Sequence, residues 1–377
     1  MYLMKGLGRM KKIVQFIYGL KTGGAEAIVR DYSIALKKRG YEVKVLMTNA
    51  RAGTPNERIL EDAGIDLIFL GDSLEIGEIP KIRKIKRQVQ LTWLIKRFIE
   101  GYRPDVLHVH LTLLKYLPFT DLRGIKVFYT VHNPPEVMFA QKRELFAAKW
   151  LLYHDRITLI ALQETMADDV DAYFDIRKTK TLHNPVHVRK YQEKRKCKKK
   201  KRSELGIPQN SYVIGHIGRF EEQKNHEFLI DIFHEVFEKN SRAFLLMVGD
   251  GSRKGIIRKK VIDCGLDRNV MILSNRSDIA EILSVMDCFV FPSVFEGFGI
   301  ALLEAQAAGL PCVVSEAVSD YVCVSDRFVK LSLKKAASVW AEVILEPDGI
   351  KTETVPYDIG EYDLDAIING LLSLYQL

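Results

Sequence analysis

The chain has 377 residues, 47% hydrophobic and 28% charged, a composition that excludes intrinsic disorder and collagen-like repeats. This length favours two domains over one. The net charge of +8 arises from two short runs, with eight basic residues and one acid in 81–103 and nine basic residues and one acid in 190–202. The rest of the chain is slightly acidic, which argues against a basic face spread over the fold. No nucleic-acid partner is therefore expected.

The start of the chain has the charged-then-apolar order of a signal peptide. Its apolar run is short, however, and leads into Lys21 without a clear cleavage site, so a first buried strand is favoured over a leader. No later stretch approaches the roughly 18 uninterrupted apolar residues of a membrane-spanning helix. The five cysteines are scattered without a C-x-x-C pair, which indicates neither a disulfide framework nor a zinc site. These features predict a protein of the reducing cytoplasm.

Short apolar runs alternate with helix-period segments along the whole chain. Strands are predicted at IVQFIY, EVKVLMT, DLIFLG, VLHVHL, KVFYTVH and ITLIAL in the first half, and at YVIGHIG, AFLLMVGDG, NVMILS, CFVFPS and CVVS in the second. Strands this uniformly apolar are buried on both faces, as in parallel sheets covered by helices. The fold class is therefore α/β, with two doubly wound, Rossmann-like parallel-sheet domains.

The lysine-rich run separates the two series of strands and sets the predicted domain boundaries. Residues 1–187 form the first domain, 188–206 a basic interdomain linker, and 207–350 the second domain. Residues 351–377 form a tail and a terminal amphipathic helix, for which packing against the first domain is one option. In open α/β sheets ligands bind beyond the carboxyl ends of the strands, so residues just after strands are the candidates for function.

The most informative segment is FPSVFEGFGIALLEAQAAGLPCVVS, residues 291–315. A strand is predicted to end at Pro292, a loop holds Glu296 and Gly299, and a helix begins near Ile300. A glycine loop that opens a helix after a strand aims free backbone N–H groups and the positive end of the helix dipole at the strand end. The segment therefore predicts an anion site suited to phosphate.

Two carboxylates, Glu296 and Glu304, are spaced eight residues apart in this segment. On one helix they would lie about 12 Å apart along the axis. Glycosidases hold their carboxyl pair within about 5–9.5 Å across one bond, so the spacing excludes a hydrolase pair. A carboxylate one turn inside the helix, Glu304, can instead accept the hydroxyls of a ribose whose phosphates lie at the helix N-terminus.

The pattern P-S-x-x-E-G-F-G-x-x-x-L-E-A-x-A-x-G-x-P resembles the signature of the family-four retaining glycosyltransferases, which have the GT-B fold of two Rossmann-like domains facing across a cleft. GHIGRFEEQKNHEFLI and MVGDG resemble the family's G-R-x-x-x-x-K-N and V-G-D-G segments. KTGGAEAIVRDYSIAL, PDVLHVH, TVHN and LHNPV resemble motifs of its first half, in the expected order. Within the family, the chain resembles bacterial capsule and exopolysaccharide transferases.

The resemblance implies roles for particular residues. Arg219 and Lys224 would bind the donor diphosphate, Glu296 would position the sugar, and His132 would contact the sugar near the reacting carbon. Gly23 and Gly24 would border the donor phosphates or the acceptor. The implied catalytic residues are His132, Glu296, Arg219 and Lys224, and the implied donor-binding residues are Arg219, Lys224, Gly249, Phe298, Gly299, Ile300 and Glu304.

The reaction implied by the resemblance is transfer of a sugar from a nucleotide sugar, with a UDP-sugar expected, to a hydroxyl of a glycan or polyprenyl-diphosphate-linked acceptor. The anomeric configuration of the sugar would be retained. The pathway implied is cell-surface polysaccharide biosynthesis. No cofactor or metal is expected, since no D-x-D cluster follows a strand; Asp168 and Asp169 lie in a helical stretch. In the basic helix predicted at 81–103, Trp93, Leu94, Ile95, Phe98 and Ile99 are interleaved with cations. Such a helix would dock on the anionic inner face of a membrane; an ordinary solvated helix with a buried face remains the alternative.

The sequence departs from the family pattern at two places, and three other interpretations compete with it. Pro185 stands where the family has glycine, and EAVSDYV after CVVS lacks the Gly-Gly and Glu that relatives place near the donor sugar. A nicotinamide enzyme is disfavoured because the spacing of Gly249, Gly251 and Gly255 misses G-x-G-x-x-G by one residue. A GT-B sugar phosphorylase or epimerase, and a non-catalytic sugar-nucleotide-binding relative, stay open.

Overall fold

The apolar runs of the sequence form two separate parallel sheets. The computed structural model of the protein describes residues 9–21, 23–74, 80–296, 298–350 and 358–377, with the side chains of 80–84 and 347 outside the description. Two units are present, one ending at Asn184 and completed by Asp365–Leu377, the other covering Pro185–Leu364. Each unit contains one sheet and its helices, which confirms the predicted α/β class with two parallel-sheet domains.

Within the described residues, the first unit holds a seven-stranded parallel sheet of order β3-β2-β1-β4-β5-β6-β7. Its strands are β1 (Lys12–Ile17), β2 (Glu42–Met47), β3 (Asp66–Phe69), β4 (Val106–His110), β5 (Lys126–Val131), β6 (Thr158–Ala161) and β7 (Lys180–Thr181). The helices before the domain boundary are α1 (Gly24–Lys38), α2 (Pro55–Asp62), α3 (Pro80–Tyr102), α4 (Pro135–Met138), α5 (Lys142–Tyr153) and α6 (Glu164–Phe174).

The central strands of this sheet are buried along almost their whole length, which explains their continuous apolar sequences. Three polar side chains on these strands are completely buried: Gln15 on β1 and His108 and His110 on β4. A buried polar group is costly without hydrogen bonds, so these residues identify a polar cluster inside the first unit. β7 was not predicted, because two residues are too few to produce a periodic signal.

The described part of the second unit holds a six-stranded parallel sheet of order β10-β9-β8-β11-β12-β13. Its strands are β8 (Tyr212–Ile217), β9 (Ala243–Val248), β10 (Val270–Leu273), β11 (Cys288–Phe291), β12 (Cys312–Ser315) and β13 (Phe328–Leu331). The helices are α7 (Val188–Lys194), α8 (Lys198–Leu205), α9 (His226–Lys239), α10 (Lys254–Asp263), α11 (Ile279–Ser284), α12 (Ile300–Ala307) and α13 (Ala337–Leu345). The sequence did not predict β13, an edge strand with a lysine in its middle.

The prediction of a basic linker at 188–206 is wrong. This segment forms α7, a short 3-10 turn and α8, and it belongs to the second unit. Carboxylates distant in sequence pair with its cations: Glu281 with Lys194 and Asp278 with Lys201. The run of lysines therefore forms helices here because acidic partners lie beside it. The local composition could not indicate these partners, which are distant in sequence.

Arg202 is the most deeply buried cation of this segment, at 3% exposure. Its guanidinium donates to the carbonyl oxygens of Val285, Gln209 and Ser211 and pairs with Asp287 at 2.7 Å. Asp287 also accepts from the backbone N–H of residue 213 at the start of the sheet. Arg202 thus joins α8 to the amino-terminal ends of β8 and β11.

We expect Arg202→Ala to lower the free energy of unfolding of the second unit by about 3–5 kcal/mol, because Asp287 and three carbonyls lose a buried donor. Lys200→Ala, at an exposed position of the same helix, should change it by less than about 0.5 kcal/mol. Urea unfolding of both variants measures the difference. Equal stability of the two variants would contradict this structural role of Arg202.

The second unit extends to Leu364, beyond the predicted boundary at residue 350. Tyr362 is fully buried and its hydroxyl donates to the carbonyl oxygen of Tyr321 at 2.6 Å. The chain then enters α14 (Leu364–Tyr375), which belongs to the first unit and completes its core with Tyr375. None of the helices in the described ranges carries an apolar stretch long enough to cross a membrane.

Candidate functional site

Lys224 and Glu296 form a buried ion pair at the strand ends of the second unit. Nζ of Lys224 lies 2.6 Å from Oε1 of Glu296, and the two side chains are 13% and 5% exposed. The lysine follows β8 through a 3-10 turn, and the glutamate follows β11. Nζ also lies 4.6 Å from the centre of the Phe291 ring. The structure therefore brings together two residues that lie 72 positions apart in the sequence.

Burial lowers the pKa of Lys224, an effect that the paired Glu296 opposes and that the positive charge of Arg219 reinforces. Arg219 lies on the exposed loop after β8, and its guanidinium makes no ion pair with any residue that the structure describes. The site thus combines two neighbouring cations with the buried carboxylate of Glu296, and the exposed carboxylate of Glu221 lies within electrostatic range of Arg219. The two cations can bind an anionic ligand.

Glycines allow the loops after β8 and β9 to touch each other. A Cβ added to Gly249 would lie 1.9 Å from the carbonyl oxygen of Gly218, and one added to Gly251 would lie 2.5 Å from that of Phe220. No side chain fits at these distances, so both positions require glycine. Gly249 therefore supports the loop that carries Arg219.

Gly299 ends the signature loop in the left-handed region, with φ of +83°, and α12 begins at the next residue, Ile300. Such a conformation favours glycine over any other residue. No side chain among the described residues caps the helix, so its first N–H groups are available to a ligand. Phe298 is buried and packs against Tyr362 with ring centres 6.1 Å apart. Gly297 lies outside the described residues.

Glu304 lies one turn inside α12 and is partly exposed. Its carboxylate accepts a hydrogen bond from the hydroxyl of Tyr191, a buried residue of α7. Sequence reasoning missed Tyr191 because it lies in the segment interpreted as a linker. The Tyr191 hydroxyl therefore lies beside the carboxylate of Glu304 in the structure.

His132 follows β5 in the first unit and hydrogen-bonds to a second histidine. Its Nε2 lies 3.1 Å from Nδ1 of His110, whose Nε2 lies 2.9 Å from Oε1 of Gln15. Burial lowers the pKa of His132 to about 4 and that of His110 well below its ordinary value. Both imidazoles are therefore neutral at pH 7.

A neighbouring branch of this cluster involves the C-terminal helix. Nδ1 of His108 lies 2.7 Å from the hydroxyl of Tyr375, and its Nε2 lies 2.8 Å from Oγ1 of Thr130. Burial lowers the pKa of His108 to about 3. The alternation of His108 and His110 was visible in the sequence, whereas Gln15 was missed. Its signal was the single polar residue within the apolar strand KIVQFI.

Two family models match the chain and together cover most of both units. The model described as Glycosyltransferase Family 4 matches residues 22–190, and the model described as Glycosyl transferases group 1 matches residues 198–328. The chain belongs to the family-four glycosyltransferases. The two matches follow the order of the two units, so the sequence resemblance to this family is confirmed.

Curated relatives of this glycosyltransferase include a Bacillus subtilis and an Escherichia coli protein. EpsF of Bacillus subtilis, a proposed glycosyltransferase, is 34% identical over 46% of this chain and 46% of its own length. The UDP-Gal:α-D-GlcNAc-diphosphoundecaprenol α-1,3-galactosyltransferase of Escherichia coli is 29% identical over 73% of this chain and 76% of its own length. The chain thus spans about half of the first relative and three quarters of the second.

The fold of this glycosyltransferase also matches solved structures. Anabaena Alr3699/HepE in complex with UDP and glucose has a TM-score of 0.76 and 19% identity, covering 97% of this chain and 99% of that chain. WaaG, a glycosyltransferase involved in lipopolysaccharide biosynthesis, has a TM-score of 0.70 and 15% identity over 97% of both chains. These matches establish the GT-B fold for the chain.

The glycine pair of the first unit lies at the start of α1 in this glycosyltransferase. Gly23 has extended backbone and precedes the helix, whose first residue is Gly24. The proposed contact of these two glycines with donor phosphates or acceptor stays a prediction. Among the residues that the structure describes, no three His, Cys, Asp or Glu side chains are arranged to hold a metal ion.

Proposed function

We propose that this glycosyltransferase moves a sugar from a nucleotide sugar to a hydroxyl of a glycan or lipid-linked glycan in cell-surface polysaccharide biosynthesis. The observation that carries the proposal is the grouping of Arg219, Lys224 and Glu296 at the strand ends of the second unit. Two neighbouring cations, one exposed on its loop and one buried against Glu296, suit the negative charge of a diphosphate.

The cations would stabilise the leaving nucleoside diphosphate. Lys224 has three N–H donors, so it can keep its bond to Glu296 while binding a phosphate oxygen. Negative charge grows on the diphosphate as the bond to the anomeric carbon breaks, and each well-placed donor contributes a few kcal/mol at that stage. The two side chains would thereby supply the charge that a metal ion supplies elsewhere, and we propose a metal-independent reaction.

Glu296 and Glu304 would bind the neutral parts of the donor. Glu296 is held in place by Lys224 and would accept hydrogen bonds from sugar hydroxyls, while Glu304 would accept from the ribose. Retention needs no protein nucleophile in this proposal, because a leaving phosphate oxygen can take the proton of the acceptor hydroxyl on the same face of the sugar. The acceptor oxygen then forms the new bond to the anomeric carbon.

Relatives favour a UDP-sugar as donor and a lipid-linked acceptor. The Escherichia coli relative is described as using UDP-Gal and a diphosphoundecaprenol-linked sugar, and Alr3699/HepE was solved with UDP and with UDP-glucose. A sugar phosphorylase or epimerase of the same fold, and a non-catalytic binding relative, are the alternatives.

A donor panel tests the proposal. The melting temperature of the protein is measured in the presence of EDTA with UDP-, GDP- and ADP-sugars. A second assay, also in EDTA, measures release of the nucleoside diphosphate from each donor. We expect one nucleotide series to raise the melting temperature and to be slowly hydrolysed. Binding without any hydrolysis or transfer would favour the non-catalytic relative, and release of sugar 1-phosphate from a glycan in the presence of inorganic phosphate would favour a phosphorylase. Absence of binding by every nucleotide sugar would contradict the proposal.

We further propose that α3 docks the enzyme on an anionic membrane surface on the cytoplasmic side. Ile85, Val89 and Trp93 are spaced four residues apart and are 64%, 63% and 55% exposed, so they form one apolar row. Lys96 and Arg97 flank this row, with the Arg97 guanidinium 5.2 Å from the Trp93 ring. Apolar side chains between cations suit an interface that carries negative charge.

The structure corrects the set of side chains that the sequence assigned to this surface. Within residues 81–103, Ile95 and Ile99 are buried and Leu94 and Phe98 are half-buried, so these four pack on the unit instead of facing a membrane. Trp93 alone of the aromatic and aliphatic residues named from the sequence is well exposed. The side chains of residues 81–84 lie outside the described part of the chain.

Flotation with phosphatidylcholine vesicles, with and without phosphatidylglycerol, tests the membrane proposal. We expect flotation only with the anionic lipid at low salt, since each cation near the surface contributes roughly 1 kcal/mol. A Val89→Ser/Trp93→Ser variant should float several-fold less. Tyr153→Ser, at an aromatic residue that is 86% exposed on α5, is the matched control and should float normally. Failure of the unaltered protein to float at low salt would defeat the idea.

A further inference from the structure

The hydroxyl of the buried Tyr191 contacts the carboxylate of the signature segment. Tyr191 is 4% exposed on α7 and donates a hydrogen bond to Oε1 of Glu304. Glu304 lies one turn after Ile300, the first residue of α12. A carboxylate only accepts, so the phenol is the donor. Hydrogen bonds to a charged acceptor are stronger than those between neutral groups, and Tyr191 therefore restrains the orientation of the Glu304 carboxylate.

The segment that carries Tyr191 contacts α12 at a second point. The guanidinium of Arg195 donates to the carbonyl oxygen of Ala307 at 3.2 Å, at the carboxyl end of the same helix. Gly309 follows that end with φ of +72°, and a Cβ at this position would lie 2.1 Å from Nη2 of Arg195. The glycine therefore leaves room for the guanidinium, and the two contacts together hold the Tyr191 ring beside α12.

We propose that Tyr191 is a positioning residue for ribose recognition: its hydroxyl holds the Glu304 carboxylate in the orientation that accepts the ribose hydroxyls of the donor. This inference rests on the proposed function, in which Glu304 binds the ribose. A carboxylate accepts through about four lone-pair positions, so it can bond to Tyr191 and to ribose hydroxyls at the same time. Tyr191 acts through Glu304 and need not touch the nucleotide.

Restraint of this carboxylate favours binding because a glutamate side chain loses rotamer freedom when a ligand fixes it. In the folded protein the bond from Tyr191 has already removed part of that freedom. The ribose hydroxyls then meet an acceptor that is in place, whereas binding of the diphosphate does not depend on it. Tyr191 should therefore change the affinity for the ribose hydroxyls alone, which distinguishes this role from a general effect on packing.

Calorimetric titration of the whole protein with UDP and with 2′,3′-dideoxy-UDP, which lacks both ribose hydroxyls, tests the proposal. The unaltered protein should bind UDP roughly tenfold or more tightly, since the dideoxy analogue leaves the carboxylate without these partners. Tyr191→Phe removes only the phenolic hydroxyl. It should weaken UDP binding by about five- to tenfold and change the affinity for the analogue by less than about twofold. If the donor panel selects GDP- or ADP-sugars, the corresponding pair of diphosphates is used.

A double-variant cycle shows whether the effect passes through Glu304. In a Glu304→Ala background, Tyr191→Phe should have no further effect on UDP affinity, because the carboxylate that it positions is gone. Tyr212→Phe is the matched control, since it removes the 2.8 Å hydrogen bond from another tyrosine hydroxyl of the same unit to the carbonyl oxygen of Ile344. The control should leave the preference for UDP over the dideoxy analogue unchanged.

Several results would overturn the positioning role. These are equal weakening of both nucleotides by Tyr191→Phe, additive effects in the cycle, and tighter binding of UDP by the variant, which would mean that Tyr191 competes with the ribose. If the variant does not fold, the unaltered protein decides, because equal affinity for UDP and the dideoxy analogue would show that no ribose hydroxyl is recognised. Absence of binding by every nucleoside diphosphate contradicts the proposed function itself, whereas UDP binding that ignores Tyr191→Phe contradicts only this inference.

Discussion

Replacement of Lys224 by alanine is expected to reduce sugar transfer by about 10²–10³-fold and to weaken nucleotide binding, because the leaving diphosphate loses a buried cation. The same change leaves Glu296 buried without its partner, since that side chain is only 5% exposed and its ion pair is lost. We therefore also expect the second unit to lose about 3–5 kcal/mol of stability. Steady-state kinetics and chemical unfolding measure the two effects separately.

A double variant distinguishes loss of chemistry from loss of stability. Lys224→Met/Glu296→Gln removes both charges, and we expect it to recover most of the stability while staying inactive. Lys239→Ala breaks an exposed pair with Glu342 on the same unit and should leave both properties nearly unchanged. Transfer by Lys224→Ala at more than about half the unaltered rate would exclude Lys224 from the diphosphate site.

Gly249→Ala is expected to lower both stability and nucleotide binding, because it moves the backbone of two loops and not because it changes a charge. Its new methyl group would lie 1.9 Å from the carbonyl oxygen of Gly218, so the loops after β8 and β9 must separate. We expect a loss of about 1–3 kcal/mol or more in stability, as for other overpacked sites, together with loss of nucleotide binding as the Arg219 loop moves. Thermal melting and nucleotide titration measure the two effects.

Gly255→Ala is the matched control for that change. Gly255 lies near the start of α10, and an added Cβ would meet no atom within 4 Å. Alanine is preferred over glycine within a helix, so this variant should be more stable by about 0.5–1 kcal/mol and should bind nucleotide normally. If both glycine variants behave alike, the close approach of the two loops does not matter for the site.

Much of the fold could be predicted because buried parallel strands have a strong local signal. The continuous apolar runs at β1, β4 and β8 indicate a sheet covered on both faces, and the structure has them there. The signature segment was equally readable, since a strand, a glycine loop and a helix follow one another without a break. Local sequence contains all the information that these features need.

The remaining features depend on partners that are distant in sequence. Composition suggested a solvated linker at 188–206, because a run of lysines gives no sign that Asp278 and Asp287 lie beside it in space. The pairing of Lys224 with Glu296 and the approach of Tyr191 to Glu304 likewise join separate segments. A single polar residue in an apolar strand, such as Gln15, marks a buried network but does not name its members.

The most direct test of the central claim follows the anomeric proton of a nucleotide sugar by NMR in the presence of EDTA, with a lipid-linked glycan as acceptor. We predict that the donor signal disappears and that the product shows an anomeric signal of the same configuration. The Lys224→Met/Glu296→Gln variant should show no product over the same time. A product of inverted configuration, or transfer that stops when EDTA is added, would contradict the proposed metal-independent retaining reaction, and an unchanged donor signal would contradict the transferase itself.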